Sequence, residues 1–314
     1  MKATNRWMTL ALILGLIFIL FAAVSCGGDD DDDDSSQPEE NYDDDDDDTV
    51  DEFKAGFSKV DITPEFPVMM AGYGSAFVAD IFCRWSEGVH DPLYAHAAAF
   101  EDADGDSVIM VVLDTVGVIV NDIEVIKNGI TTRTGVPEDH IIISATHTHH
   151  GPDTIGLWGV LLPPKTGRQE DYIQKMLLGS IEAGAEAWNE RIPAYLEYAQ
   201  GQDSRFHVNE KVEDPNSMLD STMTLLVAYS LSGAPIGSLM NWACHPTVMD
   251  QNNTLLSSDF AGVYYQVMDD ALLGTHMYVN AAIGAAIQPD FDQFPDRSAA
   301  DMEIEGEGLA DSAM

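Results

Sequence analysis

Ile141-Ile142-Ile143-Ser144-Ala145-Thr146-His147-Thr148-His149-His150-Gly151-Pro152 is the segment from which the fold is read. Its first five residues are uncharged and rich in β-branched side chains, which predicts a short strand of the kind buried inside a sheet. Three of the nine histidines then fall within four positions. On an extended backbone His147 and His149 point to one side, because side chains repeat every two residues. Two imidazoles on one face at a strand's end can share one metal ion or one substrate, and neutral imidazole is a good zinc ligand near physiological pH. A neighbouring histidine off the metal can carry protons. A polar loop start would account for a single histidine there; three beside Gly-Pro point to function.

Working outward, residues 57–62 alternate like a strand that stops at Thr63-Pro64. Residues 96–101 and 107–116 form two β-like runs joined by Asp102-Ala103-Asp104-Gly105-Asp106. That joint opens like a calcium loop but lacks the later ligands, so a hairpin turn is expected. Asn121 is expected to cap a helix running to Thr134, which Gly135-Val136-Pro137 ends. A second helix is predicted over 169–189, with Ile173, Met176, Leu177, Ile181 and Ala185 on one face. A strand at 194–201 follows, then a hairpin of 222–230 and 236–242, a helix over 259–273, a strand at 276–283 and a helix over 300–313. Hairpin, helix and strand thus occur twice, at 96–146 and 222–283. The predicted fold class is α/β, a mixed sheet with helices packed on it and an internal hairpin-helix-strand repeat. Ligands in such sheets gather where strands end.

A second strand end carries Asn241-Trp242-Ala243-Cys244-His245-Pro246-Thr247. Pro246 prevents the ladder from continuing, which leaves His245 at its end. Taken alone, His245 reads equally well as a packed core residue. Asp114, at the end of its strand, and Asp259, in Leu256-Ser257-Ser258-Asp259, are further candidates for the site. Helix capping by Ser258 or Asp259 is the plainer reading of that stretch. Cys83 and Cys244 are open to three readings: one disulfide in an oxidising compartment, zinc ligation by Cys244, or buried free thiols. On an extended strand Cys244 faces away from His245.

The chain has 314 residues and a formal net charge of −40. Residues 53–314 hold 12 basic and 38 acidic side chains, a net charge of −26. Such a surface repels phosphate backbones, which excludes nucleic acid as a partner, and it repels anionic lipid unless something covalent holds the protein there. The N-terminus supplies such a tether. Lys2 and Arg6 precede an apolar run, Trp7 to Val24, that ends in Ala23-Val24-Ser25-Cys26. This pattern reads as a secretory signal over 1–25. Cys26 after small residues resembles a bacterial lipoprotein signal, in which that cysteine is acylated. An uncleaved membrane anchor and simple secretion are the alternatives, and each exports the rest of the chain. Residues 26–52, with aspartate runs at 29–34 and 43–48, are expected to be a disordered acidic linker.

Five blocks in order carry a resemblance. They are Val60-Asp61-Ile62-Thr63-Pro64, Met70-Ala71-Gly72-Tyr73, Gly88-Val89-His90-Asp91-Pro92-Leu93-Tyr94, Ala145-Thr146-His147-Thr148-His149 with Gly151-Pro152, and Asn241-Trp242 with His245-Pro246-Thr247. Over roughly 55–314 the chain resembles the N-terminal catalytic domain of neutral/alkaline non-lysosomal ceramidases, in a ceramidase-like bacterial branch. The resemblance implies a zinc ion (Zn2+) held by His147 and His245, with His149 beside it stabilising charge or moving protons. It implies hydrolysis of an N-acyl amide, by default ceramide to sphingosine and a fatty acid, by metal-activated water. The implied partners are a lipid-like amide and, through Cys26, a membrane; oligomeric state is not indicated. The family's remaining Glu and Tyr ligands would lie beyond Met314, so 53–314 is expected to be C-terminally incomplete, with Asp114 or Asp259 as possible substitutes. Gln288-Pro289-Asp290 stands where the family has a serine before proline, which disfavours a covalent serine mechanism. His150 and His96 stand where the family usually has Ser and Arg. The alternatives are a non-catalytic surface protein that keeps the fold with an incomplete metal site, and a hydrolase of another amide or ester.

Overall fold

Eight strands form one continuous ladder in the computed structural model, which describes residues 52–74, 83–161, 164–211, 218–284 and 287–314. The signal, Cys26 and the linker as far as Asp51 lie outside the described residues. In chain order the strands are β1 (Lys54–Asp61), β2 (Tyr94–Glu101), β3 (Ser107–Leu113), β4 (Ile141–Ala145), β5 (Ile192–Gln202), β6 (Thr222–Ser230), β7 (Pro235–Trp242) and β8 (Thr275–Asn280). The helices are α1 (Val120–Thr134), α2 (Glu170–Asn189), α3 (Phe260–Ala271) and α4 (Ala299–Ala313). The sheet order is β8-β7-β6-β5-β1-β2-β3-β4. The pairs β3–β4 and β7–β8 are parallel and the others antiparallel.

The order is symmetric about the β1–β5 junction. Each half runs strand, antiparallel hairpin, helix, parallel strand, helix: β1-β2-β3-α1-β4-α2, then β5-β6-β7-α3-β8-α4. The repeat expected at 96–146 and 222–283 is present, and it extends by a strand before and a helix after each unit. The β1–β5 junction is short, pairing only Lys54 with Pro193 and Ala55 with Ile192. There the ladder bends, and the two halves pack face to face. Phe57, Ala98 and Val112 of the first half meet Ala228 and Met277 of the second in a shared core. On the outer faces, α1 and α2 bury Ile126, Ile130, Ile173 and Met176 against β1–β4. Helices α3 and α4 bury Phe260, Tyr264, Met302 and Leu309 against Met240, Trp242 and Tyr278. The result is a four-layer helix–sheet–sheet–helix stack.

Gly237 marks how closely the sheets approach. A Cβ there would lie 2.4 Å from the Phe57 ring and 2.5 Å from the Thr275 carbonyl. Gly237→Ala is therefore expected to destabilise the fold by about 1–3 kcal/mol, because backbone and a core ring must both yield. Urea unfolding measures it, and a wild-type midpoint would contradict this packing.

Two local expectations need correction. Residues 141–145 are not inside the sheet. As β4 they form its outermost described strand, with Ile141 packed into the helix-side core and Ile142 turned outward and exposed. Asn121 does not cap α1. Ile119 is the capping residue, with no side-chain cap, and its carbonyl takes the amides of Asp122 and Ile123. Cys83 and Cys244 form no disulfide. Cys244 is fully buried in the α3–α4 core, its thiol directed at the His245 carbonyl 3.6 Å away. The 102–106 joint is a hairpin turn, as expected, with Asp102 Oδ1 accepting the amides of Asp104 and Asp106. No helix among the described residues is long and apolar enough to cross a membrane.

Candidate metal centre

The carboxyl-terminal ends of β3, β4, β7 and β8 open onto loops that are tied together. Asn280 Nδ2 donates to Thr146 O at 2.7 Å, His147 N to Thr115 O at 3.0 Å, and His149 N to Pro246 O at 3.2 Å. This stitching brings His147, His149 and His245 together, although His147 and His245 are about a hundred positions apart. One ring nitrogen from each lies within 4.8 Å of the others. The centroids of the His147 and His245 rings are 5.0 Å apart. Among the described residues this is the one His/Cys/Asp/Glu group with such convergence.

Strand alternation is not what aligns His147 with His149. The strand ends at Ala145, and His147 takes a left-handed backbone conformation with φ of 70°. Such a conformation strains a residue with a Cβ and persists where surroundings over-determine it. Here Thr148 Oγ1 donates to Ser257 O at 2.8 Å and the Ser257 amide donates back to His150 O at 3.1 Å. The turn brings His149 Nε2 to 3.3 Å from His147 Nε2.

Backbone carbonyls set the ring tautomers. His147 Nδ1 donates to Val116 O at 2.6 Å and His245 Nδ1 donates to Ile287 O at 2.7 Å. Each ring thereby keeps its Nε2 lone pair for the shared space, the orientation that metal-binding histidines commonly require. Burial pushes the pKa of His147 down; it pushes that of His149 down to about 2, with further lowering by His147, His245, His150 and Arg84. Both rings are neutral at pH 7 and can donate lone pairs. His149 rests against Gly72, whose φ is +97° and where a Cβ would lie 2.3 Å from the imidazole. Gly72→Ala is expected to displace that ring and to lower activity while the distant cores stay folded. Near-wild-type turnover would show that His149 has room to move.

Asp114 and Asp259 are not in the group. Asp114 is fully buried and accepts from Tyr94 N at 2.9 Å and Tyr265 OH at 3.3 Å. Asp259 is fully buried and accepts from Phe260 N at 2.8 Å and from Val248 N and Met249 N at 3.3 Å. Their oxygens already serve these donors, so neither substitutes as a ligand to the three rings. Burial raises the Asp114 pKa to about 7, so the folded state holds its proton more tightly than the unfolded chain. Its contribution to stability is present below about pH 4 and lost as pH rises through 7. Unfolding free energy of the native chain minus that of Asp114→Asn is therefore expected to fall between pH 4 and 7; a flat difference would contradict the burial.

His149 and His245 open onto a cleft of about 520 Å³ that Tyr73, Glu210, Gln288 and Arg297 also line. Of these, Tyr73 ends the Met70-Ala71-Gly72-Tyr73 block, and Gln288 precedes Pro289. Glu210 and Arg297 lie in no motif, and no spacing signal would have found them.

Residues 53–288 match the family model described as neutral/alkaline non-lysosomal ceramidase, N-terminal. The chain belongs to this ceramidase family. The Pseudomonas aeruginosa neutral ceramidase is 25% identical over 223 residues, covering 67% of this chain and 32% of the relative. The Oryza sativa neutral ceramidase is 25% identical over 234 residues, covering 69% and 29%. This ceramidase-family chain thus spans about a third of the length of these curated relatives. The crystal structure of the Pseudomonas aeruginosa enzyme superposes with a TM-score of 0.70 at 20% identity, over 83% of this chain and 44% of that one. The two share a fold.

Proposed function

We propose that this chain belongs to an exported, lipid-anchored, zinc-dependent hydrolase that cleaves an N-acyl amide, with ceramide as the default substrate. The observation that carries the reading is the convergence of three imidazoles, two of them lining a cleft, in a ceramidase-family chain. Their donor set suits zinc, which accepts imidazole nitrogen in catalytic sites. His147 and His245 would hold the ion through Nε2. When bound, zinc supplies Lewis acidity toward an amide carbonyl and makes water acidic enough to ionise near neutral pH.

The protein groups do the rest. Val116 O and Ile287 O fix the two rings, so little reorganisation accompanies binding. His149, neutral and 3.3 Å from His147, is placed to accept a proton at Nε2 and release it to the departing amine. Tyr73 covers His149 edge-on, with ring centroids 5.0 Å apart, and donates its hydroxyl to Met249 O at 2.7 Å. Gln288 cannot act as a nucleophile, which supports water rather than a side chain as the attacking group.

The deciding experiment incubates the protein with and without zinc and a panel of fluorescent N-acyl amides that includes ceramide. Zinc-dependent release of fatty acid is expected; no cleavage of any amide, with less than about 0.2 zinc bound per chain, would favour a non-catalytic binding protein. The anchor is tested separately. Cys26→Ser is expected to shift the protein from the membrane to the soluble fraction, since acyl chains supply the attachment. Unchanged membrane association would sink the lipoprotein reading.

A further inference from the structure

Arg297 is the exceptional side chain of the cleft. Residues 53–314 carry only 12 basic groups against 38 acidic ones, yet one of the 12 faces the space beside His149 and His245. Its backbone is left-handed, with φ of 47°, a strained conformation for a residue with a Cβ. Its Nη2 donates to Thr247 O at 2.9 Å and Tyr73 OH at 3.4 Å, and the guanidinium lies 4.0 Å from the centroid of the Phe291 ring. Its Nε is buried with no acceptor among the described residues. Among the described residues no carboxylate pairs with it. Glu210, the acidic group lining the same cleft, is already engaged by Gln288 Nε2 and by Lys211 Nζ. Arg84 lies over the Tyr73 ring and donates from Nη2 to the carbonyls of Ala71 and His149; its Nε and Nη1 also lack acceptors among the described residues, but Arg84 does not line the cleft.

A fixed guanidinium with an unmet donor, stacked on an aromatic ring, is the arrangement that recognises a planar anion. One available cation within an acidic domain matches a monoanion better than a phosphate dianion. The apolar Phe291 face beside it suits an attached hydrocarbon. We infer that Arg297 forms a carboxylate-binding subsite for an amphiphile, next to the three imidazoles. The amphiphilic character rests on the amide-hydrolase reading above. The carboxylate could belong to the head group of the amide substrate or to the fatty acid released from it.

Binding of N-dodecanoylglycine, dodecanoate and the neutral dodecanoylethanolamide, below their micellar concentrations, distinguishes these cases in the full chain and in Arg297→Gln and Arg297→Lys. Wild type is expected to bind at least one anion about 10-fold tighter than the neutral amide, a preference that weakens with salt. Arg297→Gln is expected to remove the preference for the anion over the neutral amide, while Arg297→Lys keeps part of it. Tighter N-dodecanoylglycine assigns the carboxylate to the substrate; tighter dodecanoate assigns it to the product. Equal wild-type affinity for all three probes, or a preference that survives in Arg297→Gln, would overturn the subsite. If the glutamine variant does not fold, Arg297→Lys decides the matter: a reduced preference supports the subsite and an undiminished one overturns it. An Arg297-dependent preference in a protein that cleaves no amide with zinc would leave the subsite standing and remove the hydrolase reading.

Discussion

Alanine at His147 or at His245 is expected to lower amide turnover by about 1,000-fold or more, a loss of several kcal/mol of transition-state stabilisation. In each variant bound zinc is expected to fall below about 0.2 per chain, since only one of the two proposed histidine ligands is left to hold the ion. The fold should survive. Both rings are only half-buried, and the backbone amides that close the loops onto Thr115 O and Ile287 O are kept in the alanine variants. Circular dichroism and urea midpoints near wild type, with activity gone, are the expected combination. His149→Ala should differ: zinc retained and turnover reduced, if the ring moves protons without being needed to hold the ion. Wild-type turnover in either the His147 or the His245 variant would end the metal-centre reading, whatever the family.

Asp259→Ala is expected to be the most destabilising single change near the site, by about 3–5 kcal/mol. The carboxylate is completely buried and accepts from three backbone amides, two of them in the loop just after His245. Alanine leaves all three donors without a partner. The same oxygens face His150 Nε2 at 3.5 Å, while His150 Nδ1 lies 3.0 Å from Asn253 Nδ2. His150 therefore accepts at Nδ1 and donates from Nε2 toward Met249 O, a neutral ring whose pKa burial lowers to about 3. Asp259 and His150 thus tie the loop bearing His147 and His149 to the loop bearing His245. Asp259 also sits at φ of 58° and ψ of −149°, a region that glycine occupies without strain. Asp259→Gly should recover about 1 kcal/mol of the loss relative to alanine by relieving that strain. Denaturant unfolding of the two variants measures both effects. Wild-type stability in Asp259→Ala would show that water replaces the carboxylate at little cost.

The sequence alone determined a good deal, because the information was local. Alternation and turn residues located the hairpins, a 3.6-residue period located α2, and Gly135 and Gly233 marked where a helix and a hairpin had to turn. Element order exposed the internal repeat, since two chemically different halves still alternate in the same way. The clustering of His147, His149 and His150 after an isoleucine-rich strand was visible as a site without any partner in view. Tertiary structure decided the rest. Only the bend at the short β1–β5 junction turns one ladder into two packed sheets, and no local pattern encodes a face-to-face approach that depends on Gly237 opposite Phe57. Only that folding brings His245 to His147, because the two belong to different halves. The left-handed turn at His147, imposed by bonds to Ser257 and Thr115, aims the rings where strand geometry had been expected to do so. Asp259 caps α3, the plainer reading of its stretch, while Asp114, a candidate for the site in the sequence, is consumed by Tyr94 N and Tyr265 OH in the fold. Arg297 had no motif at all: its meaning comes from the Phe291 ring beneath it, the acceptor its Nε lacks, and the cleft it faces.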